Sequence, residues 1–232
     1  MNENRYSRQQ MLSQIGEEGQ RRLLASRVAV IGVGGLGSAV AAYLAGAGVG
    51  TLVLADPDTV SLSNLQRQVL YSECEIGLPK ADCALRRLRA LNSDIELIAC
   101  NEGLTPSNAT TLLQGCSLLI DCTDNYPTRY LIDNICAELS IPWLYGSIGE
   151  FHGQLTLFGG TACKRYTDLY PDREALCALP RTTLGVLGAV PGVIGSMQAC
   201  EAVKYLATGH ATLDGRLCTV DLLTFDTSLI DF

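Results

Sequence analysis

Residues 27–56 constrain this chain more tightly than any other stretch. Arg27-Val-Ala-Val-Ile is a short apolar run, and Gly32-Val-Gly-Gly-Leu-Gly is a glycine-rich turn. Gly34 to Gly48 is rich in Ala and Leu at helical spacing, and Thr51-Leu-Val-Leu-Ala-Asp is a second apolar run. Apolar runs this short read as strands buried on both faces. The order strand, turn, helix, strand makes a βαβ unit. The turn fits G-x-G-x-x-G, and Asp56 lies nineteen positions beyond Gly37. Glycines in such a turn let backbone N–H groups approach a phosphate at a helix N-terminus, and an acid at that distance is placed to hold a ribose.

The alternation continues. Leu78-Pro-Lys-Ala opens a helix by the Pro-near-start signal, and Ala81, Ala84, Leu85, Leu88 and Leu91 then share one face. Arg86, Arg87 and Arg89 fall largely outside that stripe and read as a solvated face. Strands are expected at 95–100, 117–122 and 142–145, with helices near 106–113 and at 128–139. Residues 5–25 form a polar helical lead-in, with Leu12, Ile15, Leu23 and Leu24 available for packing.

Strands and helices in alternation mean α/β architecture, a doubly wound and mostly parallel sheet with a Rossmann-like nucleotide-binding front half. The pattern then changes. Strands at 154–158 and 217–223 flank an irregular segment, 159–189, and a helix from about Val193 to Ala207, which makes a mixed or antiparallel back half. With no repeat and no linker, residues 1–232 read as one domain. The front half, about 27–150, binds nucleotide; the back half, about 151–232, is left for substrate.

At 232 residues, 47% of them apolar, the chain buries a sizeable core. A formal charge of −7 argues against a broad nucleic-acid surface, though not against one local basic pocket. The polar opening residues lack the apolar run of a signal peptide, and no apolar run reaches membrane-spanning length, so a cytoplasmic location is expected. Ten cysteines with no Cys-x-x-Cys among them suit small core hydrophobes better than a disulfide framework.

The segment after Asp56 narrows the chemistry. Asn64, Arg67, Gln68 and Lys80 are ordinary surface residues taken singly. Behind a phosphate turn and its acid they form more cationic equipment than a diphosphate needs. Such equipment suits a triphosphate whose charge builds up as pyrophosphate leaves. Asp121-Cys-Thr-Asp-Asn ends the fourth strand at the carboxyl edge, where such folds bind ligands. Asp124 suits Mg²⁺, which takes one or two carboxylates plus phosphate oxygens. Asp121 reads as a structural carboxylate and Asn125 as a turn former before Tyr-Pro. His152 and His210 have no carboxylate or cysteine at suggestive spacing, so neither reads as a catalytic base.

These segments together resemble the ThiF/MoeB/HesA family, the bacterial relatives of ubiquitin-activating enzymes. The likeness is carried by Arg5-Tyr-Ser-Arg-Gln, Gly32–Gly37, Ala45-Gly-Ala-Gly-Val-Gly, Ser61-Leu-Ser-Asn-Leu-Gln-Arg-Gln, Pro79-Lys, Asp121-Cys-Thr-Asp-Asn, Gly153-Gln and Gly192-Val-Ile-Gly-Ser-Met-Gln-Ala. The resemblance implies ATP and Mg²⁺ as cofactors. The nucleotide would be held at Gly32, Gly34, Gly35 and Gly37, with Asp56 on the ribose. Ser63, Asn64, Leu65, Gln66, Arg67 and Lys80 would surround the phosphates, and Asp124 and Asn125 would lie beside the metal. Arg8 would reach into a neighbouring subunit's site, which implies a homodimer.

The implied substrate is a ubiquitin-like sulfur-carrier protein of the ThiS or MoaD kind ending in Gly-Gly. Its C-terminal carboxylate attacks the ATP α-phosphate to give an acyl-adenylate and pyrophosphate. A carboxylate is already a nucleophile, so the step needs no general base. The thiamine-thiazole pathway is the first reading and molybdopterin synthesis the second. An NAD-dependent oxidoreductase would share the front half, and a non-catalytic nucleotide-binding protein would share the whole fold.

Two departures from the family pattern matter. Relatives often carry two Cys-x-x-Cys pairs for zinc, whereas Cys163-Lys-Arg-Tyr keeps only one cysteine of one pair, so no zinc site is expected. Arg181 stands where the family's thiol-transfer cysteine falls. Cys177, four residues earlier, reads equally as a buried structural thiol and as a reactive substitute.

Overall fold

The computed structural model describes residues 5–180 and 185–232. A short helix α1 (Ser7–Gln10) and α2 (Gly16–Ala25) precede β1 (Arg27–Ile31), α3 (Gly35–Ala47), β2 (Thr51–Ala55), α4 (Lys80–Leu91) and β3 (Glu96–Cys100). Then follow α5 (Ala109–Leu113), β4 (Leu118–Asp121), α6 (Tyr126–Leu139), β5 (Trp143–Gly149) and β6 (His152–Phe158). The chain closes with α7 (Tyr166–Leu169), α8 (Arg173–Ala178), α9 (Ala189–Thr208), β7 (Arg216–Asp221) and β8 (Asp226–Asp231).

The eight strands of the described residues join one sheet in the order β3-β2-β1-β4-β5-β6-β7-β8. The first five run parallel and β6, β7 and β8 run antiparallel. The sheet order reverses between β1 and β4, the place where such sheets open a crevice at their carboxyl edge.

Alternation along each central strand divides the core. Val28, Val30, Leu52, Leu54, Leu118 and Ile120 pack on one face with α3, α4 and α9. Ala29, Ile31, Val53, Ala55, Leu119 and Trp143 pack on the other with α5 and α6. Helices on both faces bury both sides of the strands, so each strand reads in the sequence as an unbroken apolar run.

Several expectations are corrected. Helix α6 begins at Tyr126 rather than Thr128, because Asn125 caps it by accepting from Thr128 N at 3.0 Å. Residues 159–189 are not wholly irregular: they contain α7 and α8, and α9 starts at Ala189 rather than Val193. Strand β7 stops at Asp221, where that carboxylate accepts from Leu223 N and Thr224 N to turn the chain into β8, a strand the sequence reading lacks. In the lead-in Leu23 is buried, but Leu12 and Leu24 are exposed. The position of Arg181 lies outside the described residues.

Candidate functional site

The glycine turn forms the floor. Gly32 has φ +90°, and a Cβ there would lie 2.7 Å from the carbonyl oxygen of Cys122, so only glycine lets β1 run against the end of β4. A Cβ on Gly37 would meet Gly32 O at 2.0 Å, which excludes a side chain as the turn closes into α3. Tyr71 locks the turn from outside, its hydroxyl donating to Val33 O at 2.7 Å.

Asp56 stands at the end of β2, 5% exposed. It accepts from Val33 N at 2.8 Å and from Asp58 N at 2.9 Å, so the acid read as a ribose ligand also holds the turn in shape. Burial raises its carboxyl above the ordinary aspartate range, against the pull of Lys80 and the two backbone N–H groups.

The segment after β2 folds back over this floor. Residues around Gly34 and Gly35 face Gln68 and Arg67: a Cβ on Gly35 would lie 3.7 Å from Arg67 Cγ, and one on Gly34 would lie 3.4 Å from Gln68 Nε2. Arg67 donates to Ser63 O at 3.1 Å, which curls the segment around its own guanidinium. Lys80, at the first position of α4, is almost wholly buried and donates to Asp58 Oδ2 at 2.9 Å. The sequence reading overlooked Asp58. The signal was present, since a buried lysine needs an anion and Asp56-x-Asp58 supplies one.

The remaining predicted residues divide. Asn64 is half-buried and Gln66 exposed, with the Gln66 carbonyl against Gly188 at the start of α9. Leu65 packs against the core, and Ser63 is exposed, its hydroxyl 3.2 Å from that of Ser61. Neither side chain is drawn to the glycine turn by any contact in the described residues.

At the end of β4, Asp121 is fully buried. Its Oδ1 accepts from Thr123 N at 2.9 Å and from the Thr123 hydroxyl at 2.6 Å. Its Oδ2 lies 3.3 Å from Arg129 Nε, an ion pair without a hydrogen bond between those two atoms. Arg129 also donates to Thr123 O at 2.8 Å and lies over the Tyr145 ring at 5.1 Å. Burial works against its charge, but Tyr145, Asp121 and Tyr166 hold the guanidinium protonated. This clamp fixes the backbone on either side of Asp124, whose own side chain is exposed. Asp121 is structural, as read; Arg129 was missed.

Four helix N-termini meet at this edge: α3 at the glycine turn, α4 at Lys80, α6 after Asn125, and α9, whose Pro191 would touch a Cβ on Gly35 at 3.0 Å. Helix N-termini favour anions, and Arg67 and Lys80 add positive charge at this edge, Lys80 being paired with Asp58. The exposed carboxylate of Asp124, just past the end of β4, has the chemistry of a Mg²⁺ ligand, whose other ligands would be phosphate oxygens and water. Among the described residues no three His, Cys, Asp or Glu side chains group as a metal cage.

The other residues lie apart. Arg8 is exposed on α1, which packs at the far end of α3: Gln9 donates to Ala47 O at 3.1 Å, and Asn92 donates to the Tyr6 hydroxyl at 2.9 Å. A 13-residue helix is about 20 Å long, so Arg8 is a helix length from its own glycine turn. Cys177 sits in α8, half-buried against the second core face, and Cys163 is exposed. His152 does have a carboxylate partner, which corrects the reading: the β6–β7 register sets it opposite Asp221, Nδ1 to Oδ2 3.5 Å. No helix among the described residues is long and apolar enough to cross a membrane.

Comparison with known proteins gives a consistent result. Residues 6–231 match the model of the ThiF family. The chain is 42% identical over 228 residues to the SAMP-activating enzyme E1 of Haloferax volcanii, covering 97% of this chain and 84% of that protein. It is 44% identical over 220 residues to the sulfur carrier protein ThiS adenylyltransferase of Escherichia coli, covering 94% and 86%. With the adenylyltransferase and sulfurtransferase MOCS3 of Aedes aegypti the identity is 42% over 222 residues, 94% of this chain and 50% of that one, so the chain spans about half of that relative. Among solved structures, E. coli MccB with ATP superposes at a TM-score of 0.84 and 21% identity, over 99% of this chain and 72% of the other. PaaA does so at 0.83 and 23%, over 98% and 72%. At such identities the likeness is one of fold.

Proposed function

The chain belongs to the ThiF family, and from that premise we propose that it adenylates the C-terminal glycine of a ubiquitin-like sulfur carrier with ATP. What supports this reading most is the glycine turn with Arg67 against Gly35, with Lys80 paired to Asp58 beside the Asp56 that holds the turn, and with Asp124 two residues beyond the Cys122 carbonyl that Gly32 faces. Three relatives named as adenylyltransferases or as an E1 support it.

In this reading the glycine turn and helix N-termini cradle the triphosphate, and Asp56 takes the ribose. The carrier carboxylate forms a bond to the α-phosphorus as the bond to pyrophosphate breaks, and no proton moves. Arg67 and Lys80 stabilise the charge that grows on the leaving pyrophosphate, Lys80 exchanging Asp58 for phosphate. Magnesium bound at Asp124 would draw charge from the non-bridging oxygens. Catalysis is then mainly positioning and charge stabilisation.

The back half receives the carrier. A groove lined by Ile148, Glu150, Gln154, Val220 and Asp226 opens on the same edge of the sheet as the glycine turn. Two strand spacings separate β4 from β6, about 10 Å, which about three extended residues of a Gly-Gly tail would span. Arg8, too far from its own turn, completes the site of a second copy. The apolar groove between α3 and α9, lined by Ala39, Tyr43, Val69, Val193 and Met197, is the face we assign to that homodimer.

Thiazole synthesis is our first choice of pathway and molybdopterin synthesis the second. The test is ATP–pyrophosphate exchange with purified ThiS-like and MoaD-like carriers ending in Gly-Gly. Exchange that appears only with a carrier present, and fastest with the ThiS-like one, is the expected result. ATP binding without exchange across both carriers would instead favour a non-catalytic nucleotide-binding protein.

A further inference from the structure

Helix α1 is four residues long and buries none of them, and a single helical turn does not hold on its own. Side chains on both sides of Arg8 tie it down. Before Arg8, Arg5 Nη1 donates to Leu91 O at 2.8 Å, and the Tyr6 ring lies against Gly48, where a Cβ would meet it at 2.5 Å. Asn92 is fully buried. Its amide nitrogen donates to the Tyr6 hydroxyl at 2.9 Å and to Ala45 O at 2.8 Å. After Arg8, Gln9 donates to Ala47 O at 3.1 Å and to Gln20 Oε1 at 2.8 Å. The accepting carbonyls of Ala45, Ala47 and Leu91 belong to the last turns of α3 and α4, where the helix itself supplies no donors.

Arg8, between these anchors, is exposed, and its guanidinium has no hydrogen-bond or ion-pair partner among the described residues. Ordering a turn that buries nothing costs conformational entropy. Donors for the ends of α3 and α4 could come from water, without a ring seated on a glycine or an amide shared between two elements. We propose that Tyr6, Gln9 and Asn92 are positioning residues for Arg8. They hold α1 so that Arg8 enters the nucleotide site of a second copy from one fixed backbone position. Through Arg8 they act on the partner's site and not on their own. This rests on the reading above in which Arg8 serves a second copy.

The test is whose site a loosened anchor damages. Tyr6→Ala removes ring and hydroxyl and leaves Arg8 in place. Carrier-dependent pyrophosphate exchange is expected to fall about tenfold or more, since a misplacement of about 1 Å can cost 10²-fold. After subunit exchange with Asp124→Ala protein, the mixture should recover about a quarter of native activity, because each mixed dimer joins an intact Asp124 site to a well-held Arg8. Mixed with Arg8→Ala protein, Tyr6→Ala should recover nothing. A tyrosine that matters only to its own subunit's site gives the reverse, no recovery with Asp124→Ala and recovery with Arg8→Ala, and that result overturns the proposal. Native exchange in Tyr6→Ala overturns it too. Should Tyr6→Ala not fold, Gln9→Ala releases the other anchor and is read in the same two mixtures, where native exchange or the reversed pattern refutes the clamp. The mixture of Arg8→Ala with Asp124→Ala separates this question from the shared site. If that pair recovers and Tyr6→Ala with Asp124→Ala does not, only the clamp fails. If that pair stays inactive with exchange shown independently, the shared site fails and the clamp with it.

Discussion

The two halves of the sheet solve different problems. In the parallel front half, β1, β2 and β4 are buried almost end to end, and the polar groups at their carboxyl ends are tied to one another. Asp56 holds the glycine turn, Asp58 holds Lys80, and Asp121 with Arg129 holds the backbone around Asp124. In the antiparallel back half, every residue of the edge strand β8 is exposed, and hairpins join β5 to β6 and β7 to β8, while α7, α8 and α9 lie between β6 and β7. A sheet buried on both faces leaves the side chains at its carboxyl edge little room to move. An exposed antiparallel edge fixes little and leaves surface free. A small nucleotide needs the first arrangement, and a folded protein partner needs the second.

The sharpest break of this comparison is Asp124→Ala. The side chain is exposed, so the fold should keep its melting temperature, yet carrier-dependent pyrophosphate exchange should fall about 10²–10³-fold, as for loss of one preorganised charge-stabilising group. Retained exchange would mean that the front edge does not act through this carboxylate.

Core substitutions give the next largest difference. Leu54→Ala in β2 should cost about 2–5 kcal/mol in denaturant unfolding, because its site is buried on both sides of the sheet. Leu229→Ala in β8, with 45% of the residue already exposed, should cost within about 0.5 kcal/mol. Equal costs would deny that the halves differ in how tightly they are packed.

A smaller effect tests whether two copies share a site. Arg8→Ala and Asp124→Ala proteins should each be nearly inactive. After subunit exchange their mixture should recover about a quarter of native activity, since random pairing makes half the dimers mixed and each of those has one intact site. A mixture that stays inactive, with exchange shown independently, places Arg8 in its own subunit.

The legible parts of the sequence are those where one physical cause acts locally. Apolar runs announced β1, β2 and β4 because burial on both faces admits nothing else. The glycine turn announced itself because Gly32 and Gly37 have no room for a Cβ. What was missed depends on contacts across the fold. Strand β8, Asp226-Thr-Ser-Leu-Ile-Asp, is an exposed edge with acids at both ends, so no burial pattern marks it. His152 and Asp221 are 69 positions apart and meet only through the β6–β7 register. Arg129 was readable in principle: Tyr126, Arg129, Tyr130 and Asp133 share the inward face of α6, and a charge on such a face demands a partner. Asp121 and Arg165 are those partners. Cys177 is placed by the structure in α8 without a choice between its two readings.

A front half built for a triphosphate should tell ATP from NAD, which calorimetry of the native protein with ATP and Mg²⁺, and then with NAD, measures. The expected result is clear saturable heat with ATP, lost in Arg67→Ala, and none with NAD at the same concentrations. Saturable NAD binding without ATP heat would contradict it, because Arg67, Lys80 and Asp124 would then have been gathered for a different ligand.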